Sequence, residues 1–414
     1  MKNINKISTF LISFLILFIM LIGINSIPQK YIKNNIYNSV EKSNEYSEKN
    51  IFHKFTQTRT DNIHDLYIME TIFYNSGNQI KDTILPQYNE IRNEKTYIND
   101  TINQMNINHG LDNYTYLTGI NIILKPLFIL FTLNQIKFIG LFILIILIAY
   151  FIYLCEKNKL RKLWVSFIVG FLFTYSYLTP LSLNESFTLI LSLIFSIFIL
   201  SKENIKNELF IIFGVVTAFT DGLSMGSLLF IIPFLTYISK NDKYKDYKEF
   251  LSDFIKKISN WIISLLLTFV IKIGLTYFLY KENIISNFYN GVNGKSIISN
   301  IGYILYQNIT KIFPLKSTNS YSANVIILLL LIFIYMVFLY TYKDKRANIN
   351  KIKVLSYIII AIVPILYLIL IYKNAYLYSF VTYRNLLGSI MSLALLAIEV
   401  TNFTKIKLGD STVN

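Results

Sequence analysis

The chain has 414 residues, of which 54% are hydrophobic and only 15% are charged, whereas about a quarter of an average soluble domain is charged. The apolar residues form blocks of roughly 18 or more, the length that crosses a hydrocarbon core about 30 Å thick. The net charge of +15 does not indicate a nucleic-acid partner, because the basic residues concentrate beside the ends of the apolar blocks, where they act as topology signals. We therefore expect a multi-pass protein of the cell membrane, in contact with membrane lipid and with no nucleic acid.

The first apolar block, Phe10 to Ile24, follows Lys2 and Lys6, which place the N-terminus in the cytoplasm. No small-residue cleavage site comes after it, so residues 1–26 are predicted to be a retained transmembrane helix rather than a signal peptide. Residues 27–115 are polar and are predicted to form a small helical domain outside the cytoplasm, since long loops translocate largely regardless of their charge.

Residues 116–404 are predicted to form a transmembrane bundle, followed by a cytoplasmic tail, residues 405–414. The stretch from Glu208 to Ser239 is ambiguous. As one helix it would place the following lysines, from Lys240 to Lys257, outside the cell. As a hairpin of two short helices it keeps them inside, which the bias of basic residues toward short cytoplasmic loops favours.

Two further stretches, near residues 116–131 and 296–313, are too interrupted for full spans and are predicted to be interfacial helices or re-entrant pieces on the outer face. The fold class that follows is all-α: a transmembrane helix bundle of about ten membrane segments, with both termini in the cytoplasm.

Asp61 and Asp65 lie in the outer loop, and in a helix they would be one turn apart on one face. Carboxylates there could accept the proton of an acceptor hydroxyl or hold a divalent cation. Asp61 could instead cap the helix, with Asp65 complementing the helix dipole in the first turn. The three histidines of the chain fall in the same loop, but their spacing matches no ligand pattern, so no metal site is predicted.

Asp221 lies within a long apolar block, where an acid by default marks a functional or water-facing position. It could also cap the second helix of the hairpin, with Gly222 easing the turn. Arg384 lies at the outer end of the last apolar block, where a guanidinium could bind a lipid phosphate through two hydrogen bonds or anchor the helix to headgroups.

Four segments, Tyr116 to Ile120, Leu124 to Leu127, Phe219 to Leu223 and Phe380 to Arg384, occur in this order. They resemble blocks of a family of uncharacterised multi-spanning membrane proteins of Gram-positive bacteria. That family has a Tyr-Trp-His-Gly block leading to Leu-Arg-Pro-Leu, a Phe-Asp-Phe-Leu-Thr block and a block ending Phe-Thr-Tyr-Arg. The layout, with a first helix, a large acidic outer loop, an interfacial helix and a bundle, is similar to that of GT-C glycosyltransferases, which use polyprenyl-phosphate-linked sugars.

The resemblance implies single-displacement sugar transfer on the outer face. Asp61 or Asp65 would be the catalytic base or a ligand of a divalent cation, and Asp221 a second catalytic group. Lys125, Tyr383 and Arg384 would bind the donor phosphate.

The chain departs from the pattern at the family's histidines. Leu117 and Thr118 stand where Trp and His are expected, and Asn374 and Tyr378 stand where histidines are expected. A catalytically inactive partner in an envelope assembly is therefore an alternative. A transporter or lipid flippase is a second alternative, which charges near mid-membrane and internal repeats would favour.

Overall fold

The fold is known from a computed structural model, which describes residues 2–43, 61–88, 111–112, 117–220, 225–241, 247–281, 295–312, 321–342 and 351–401. The described residues are helical, apart from an antiparallel pair of two-residue strands, β1 (Gln87–Tyr88) and β2 (Leu111–Asp112). The helices are α1 (Lys2–Asn25), α2 (Gln29–Ser43), α3 (Asn62–Phe73), α4 (Gln79–Ile84), α5 (Asn121–Leu130), α6 (Leu133–Lys157), α7 (Arg161–Phe173), α8 (Leu183–Ser201), α9 (Asn207–Phe219), α10 (Gly226–Lys240), α11 (Tyr247–Tyr280), α12 (Lys295–Ile312), α13 (Tyr321–Thr341), α14 (Lys351–Leu370), α15 (Tyr372–Leu377), α16 (Ser379–Thr382) and α17 (Leu387–Val400). Short 3-10 turns, Ser176–Leu181 and Tyr383–Leu386, precede α8 and α17.

Six helical segments in the described part of the chain are long and apolar enough to cross a membrane: residues 5–25, 133–157, 183–201, 248–280, 351–370 and 379–400. Helix α8, for example, rises about 28 Å over its 19 residues, close to the thickness of a hydrocarbon core. The chain is therefore an all-helical protein with the character of an integral membrane protein. The count of about ten segments and the cytoplasmic position of both termini stay predictions.

The bundle has two ends, which differ in charge. At one end the Lys240 ammonium, at the end of α10, donates hydrogen bonds to the carbonyl oxygens of Ile199 and Leu200, at the end of α8, each at 2.8 Å. Lys162, at the start of α7, pairs there with Glu399, at the end of α17, at 2.8 Å. We call this the basic end, defined by Lys162 and Lys240. The start of α8 lies at the opposite end, which we call the carboxylate end after Asp61, Asp65 and Glu185.

The hairpin interpretation of residues 208–239 is confirmed, because α9 and α10 are separate helices that run antiparallel. The Phe210 ring, in the first turn of α9, lies 5.8 Å from the ring of Tyr237, near the end of α10. Every residue of α10 from Gly226 to Ser239 is buried, and the helix packs against α8, α14 and α17. Helix α10 is therefore the central helix of the bundle, with protein rather than lipid on all of its faces.

Helices α2, α3 and α5 pack on the carboxylate end. Their buried side chains include Ile32, Ile36, Met69 and Phe128, which form one apolar cluster with Leu183 at the start of α8. Burial of these side chains holds α2, α3 and α5 against the end of the bundle. Each buried aliphatic or aromatic side chain stabilises the folded state by about 1.5–3 kcal/mol. This packing holds Asp61 and Asp65 above the ends of the membrane helices.

The two stretches predicted to be interfacial contain helices α5 and α12. Helix α5 has ten residues with Pro126 inside it, and its length of about 15 Å is half of what a span requires. Helix α12 covers 18 residues and packs against α14, α15 and α16. The tail, residues 405–414, lies outside the described residues.

Candidate functional site

Asp61 caps the N-terminus of α3, as one of the two sequence interpretations predicted. Its Oδ1 atom accepts a hydrogen bond from the backbone N–H of His64 at 3.3 Å. The His64 Nδ1 atom lies 3.7 Å from Asp61 Oδ2. The Asp61 side chain is 2% exposed and that of His64 is 23% exposed. His64 therefore lies between the Asp61 carboxylate and the surface of the protein.

Asp65, in the first turn of α3, is held from two sides. Its Oδ1 accepts the backbone N–H of Leu183 at 2.8 Å, and its Oδ2 lies 2.5 Å from the Lys137 ammonium. Burial raises the pKa of Asp65, which the charge of Lys137 opposes and that of Asp61 reinforces. The expectation of a dipole-stabilising acid is thus incomplete, because Asp65 also joins α3 to the starts of α6 and α8.

Arg384 lies in the 3-10 turn before α17, and its Nη1 atom donates to the Glu185 carboxylate of α8. Both side chains are almost completely buried, at 2% and 1% exposure. The Tyr383 ring lies 5.3 Å from the guanidinium carbon. In this structure the charge of Arg384 is therefore compensated by Glu185 inside the protein.

These side chains belong to one cluster. Asp61 and Asp65 both lie within electrostatic range of Glu185, which pairs with Arg384. The cluster thus combines three carboxylates, from Asp61, Asp65 and Glu185, with two cations, from Lys137 and Arg384. Five charges with little exposure to water are costly unless they are paired, and such groups mark functional positions in membrane proteins more often than elsewhere.

Sequence reasoning missed Glu185 and Lys137. Glu185 stands in the first turn of a long apolar helix, where an acid is easily read as a complement to the helix dipole. Lys137 follows the first residue of its apolar block, where a lysine is easily read as snorkelling to the interface. The available signal was their position: both lie beside the start of an apolar block, at the end where Asp61 and Asp65 were expected.

Lys125 belongs to a different pair. It is 1% exposed on α5, and its charged neighbour is Asp82 of α4. The Asp82 carboxylate accepts the backbone N–H of Ser76 at 3.0 and 3.2 Å. Burial lowers the pKa of Lys125 to about 8, which the charge of Asp82 opposes. Lys125 and Arg384 are therefore engaged with different carboxylates, and the structure does not join them into one phosphate clamp.

Asp221 lies outside the described residues. Two residues earlier, the Phe219 carbonyl oxygen accepts the backbone N–H of Gly119 at 2.6 Å. A Cβ atom built on Gly119 would lie 2.6 Å from that oxygen, so only glycine fits there without a shift of the backbone. Gly119 therefore joins the end of α9 to the turn before α5.

Aromatic side chains border the cluster beside His64. The His64 ring lies 6.0 Å from the ring of Tyr67 and 6.1 Å from that of Tyr378, and Tyr67 lies 5.2 Å from Tyr88. The three tyrosines are half-buried, so each keeps one part in contact with solvent. Tyr378 occupies a position where the resemblance would place a histidine.

Among the residues that the structure describes, no three His, Cys, Asp or Glu side chains are arranged to hold a metal ion. Comparison of the chain with protein-family models, curated proteins and solved structures finds no match in any of the three.

Proposed function

We propose that the chain is a glycosyltransferase of the bacterial cell envelope, with a layout similar to that of GT-C enzymes, and that it uses a polyprenyl-phosphate-linked sugar at the carboxylate end. The observation that carries the proposal is the meeting of the five charged side chains named above. They come from α3 and the residue before it, α6, α8 and the turn before α17. A structural role would require only the two ion pairs. The cluster contains in addition a third carboxylate, that of Asp61, beside the partly exposed side chain of His64.

In this proposal Asp61 is the base. The acceptor hydroxyl gives its proton to the Asp61 carboxylate, directly or through His64, while its oxygen forms a bond to the anomeric carbon of the sugar. The bond between that carbon and the phosphate oxygen breaks, and its electron pair leaves with the polyprenyl phosphate. Asp65 is a positioning residue, since both of its oxygens are already engaged. Asp221 stays in the proposal as a second polar group.

Arg384 and Tyr383 are proposed to bind the donor phosphate. A guanidinium has five N–H donors in a planar fork, which matches phosphate as well as carboxylate. Glu185 would hold Arg384 in position until a phosphate oxygen replaces the carboxylate as its partner. The half-buried rings of Tyr67, Tyr88 and Tyr378 offer apolar surfaces on which the sugar would lie.

The test compares variants that keep the local structure while removing the proposed chemistry. Asp61→Asn preserves the helix cap, because Asn caps about as well as Asp, but an amide cannot accept the proton. Arg384→Lys preserves the charge and discards the fork. Asp221→Asn tests the remaining carboxylate. Each variant should insert at the wild-type level and fail to restore the envelope glycan of a deletion strain.

Two substitutions at the basic end serve as matched controls. Glu203→Gln removes an exposed carboxylate, and Lys202→Arg changes an exposed lysine; both should restore the glycan fully. If Asp61→Asn and Arg384→Lys also restore it, the site assignment is wrong.

That result would favour a non-catalytic partner in an envelope assembly. One observation supports this second candidate: Asp65 and Arg384 both take part in ion pairs with little exposure to water, which a structural role would also produce. The two candidates differ in what they require of Asp61. A structural role requires only that the ion pairs form, whereas catalysis also requires the Asp61 carboxylate to accept a proton.

A further inference from the structure

A cavity of about 610 Å³ opens at the basic end, far from the carboxylate cluster. Its walls come from the start of α7, the end of α10, the start of α14 and the end of α17. The charged and apolar side chains that line it include Lys159, Arg161, Lys162, Lys353, Leu395 and Ile398. The cavity is large enough for a phospholipid headgroup or another small polar ligand.

The charge of the cavity is strongly positive. Among its described lining residues four are basic, and one, Glu399, is acidic. Glu399 is already paired with Lys162 at 2.8 Å, and Arg161 Nε lies 4.0 Å from the exposed carboxylate of Glu156, outside the lining. A cavity in which cations outnumber carboxylates in this way attracts an anion, and the attraction weakens as salt screens it.

The start of α7 adds a second, independent source of positive potential. Its 13 residues begin at Arg161, and the preceding residue, Leu160, provides no side-chain cap. The backbone N–H groups of the first turn of this helix, whose first residues line the cavity, therefore have no capping oxygen from that residue. Helix N-termini of this kind bind phosphate through their N–H groups and the positive end of the helix dipole.

The other lining residues favour a lipid over a free anion as the ligand. The hydroxyls of Ser239 and Tyr357 lie 3.4 Å apart and both line the cavity beside the apolar side chains of Leu395 and Ile398. Helix α14 and the segment that ends with α17 are long and apolar enough to span a membrane, so the cavity lies at the ends of helices, where lipid headgroups are found. Basic pockets between helix ends are a recurring way of binding anionic headgroups.

We propose that this cavity binds the headgroup phosphate of an anionic phospholipid, with the cations and the start of α7 around the phosphate and the apolar wall against the acyl chains. The site is separate from the proposed donor site and does not depend on sugar transfer. It would couple the arrangement of α7, α10, α14 and α17 to the lipid composition of the surrounding leaflet.

The test measures lipid binding to the purified full-length protein in detergent by native mass spectrometry. Phosphatidylglycerol should bind at least about tenfold more tightly than phosphatidylcholine. Each basic residue near an anionic lipid contributes a factor of about five in affinity. The double variant Arg161→Gln/Lys353→Gln should therefore lower the affinity for phosphatidylglycerol roughly 25-fold, and the affinity should fall as salt is raised.

The matched control is Lys202→Gln/Lys206→Gln, which removes two exposed charges at the same end of the bundle, outside the cavity. It should leave the affinity within about twofold of the wild type. Arg161→Gln alone, at a largely exposed position, replaces the double variant if that protein inserts poorly. Equal binding of the two lipids, equal loss in both double variants, or binding of inorganic phosphate as tight as that of phosphatidylglycerol would each overturn the proposal.

Discussion

The pair formed by Glu185 and Arg384 allows the energetics of the cluster to be separated from its chemistry. Both side chains are almost completely buried, so removing one leaves the other as an uncompensated charge. The cost of breaking a buried pair from one side is about 3–5 kcal/mol. Glu185→Met and Arg384→Met should each destabilise the protein by about that amount. The double variant removes both charges and keeps the volume, so it should be close to the wild type in stability, or more stable.

Unfolding by denaturant, followed in one detergent by tryptophan fluorescence, measures these differences. The same set of single and double variants at Lys162 and Glu399 serves as a control double-mutant cycle, because these two side chains are 56% and 19% exposed. An exposed pair should couple by no more than about 1 kcal/mol. If the double variant at Glu185 and Arg384 loses the sum of the two single losses, the pair is not the buried ion pair that we describe.

The same double variant also tests the donor-phosphate role. A protein that lacks both charges but folds normally should insert at the wild-type level and still fail to restore the envelope glycan, because no guanidinium is left to bind phosphate. Full restoration by a stable double variant would show that Arg384 serves the fold alone.

Three further predictions concern other parts of the molecule. Gly119→Ala should destabilise the protein by about 1–3 kcal/mol, because its Cβ would meet the Phe219 carbonyl oxygen at 2.6 Å, whereas Gly23→Ala, with nothing within 4 Å, should not; thermal unfolding of the two variants compares them. The pKa of Lys125 is lowered to about 8 from 10.5, so protonation of this side chain opposes folding. The free energy of unfolding of the wild type should therefore rise relative to that of Lys125→Met as the pH rises from about 8 toward 10.5. A stability difference that stays unchanged across that range would contradict the burial of Lys125. Asn241→Cys should resist a membrane-impermeant thiol reagent in intact cells and react after permeabilisation, and labelling of intact cells would reverse the predicted orientation.

The elements that could be predicted from the sequence are those determined by local patterns. Apolar blocks predicted the membrane helices, and the excess of lysines after residue 239 predicted the hairpin. A helix cap was one of the two roles that the sequence offered for Asp61. The long helix α11 begins at Tyr247, well before the apolar stretch that starts at Trp261, because lysines interrupt an apolar block without interrupting a helix. Hydropathy marks the part of a helix that lies in lipid, whereas the helix itself extends beyond it.

The site was only partly predictable because its partners are distant in the chain. Glu185 and Arg384 are 199 residues apart, and Leu183 and Asp65 are 118 apart. The sequence places each residue at an end of a helix but does not say which other helix end lies beside it. Lys125 was grouped with Arg384 because the resemblance implies that both bind the donor phosphate, and only the packing of α5 against its neighbours assigns Lys125 to Asp82.

The short, buried hairpin has a consequence for how the protein enters the membrane. As described, α9 and α10 have 13 and 15 residues, which reach about 20 and 22 Å, short of a hydrocarbon core about 30 Å thick. Neither helix can match the bilayer alone without thinning it or tilting its neighbours. The hairpin must therefore be enclosed by neighbouring helices, of which α8 is made before it and α14 and α17 are made after it. Biogenesis of this protein should thus end with late enclosure of the hairpin, and truncation before α14 should expose it to quality-control proteolysis.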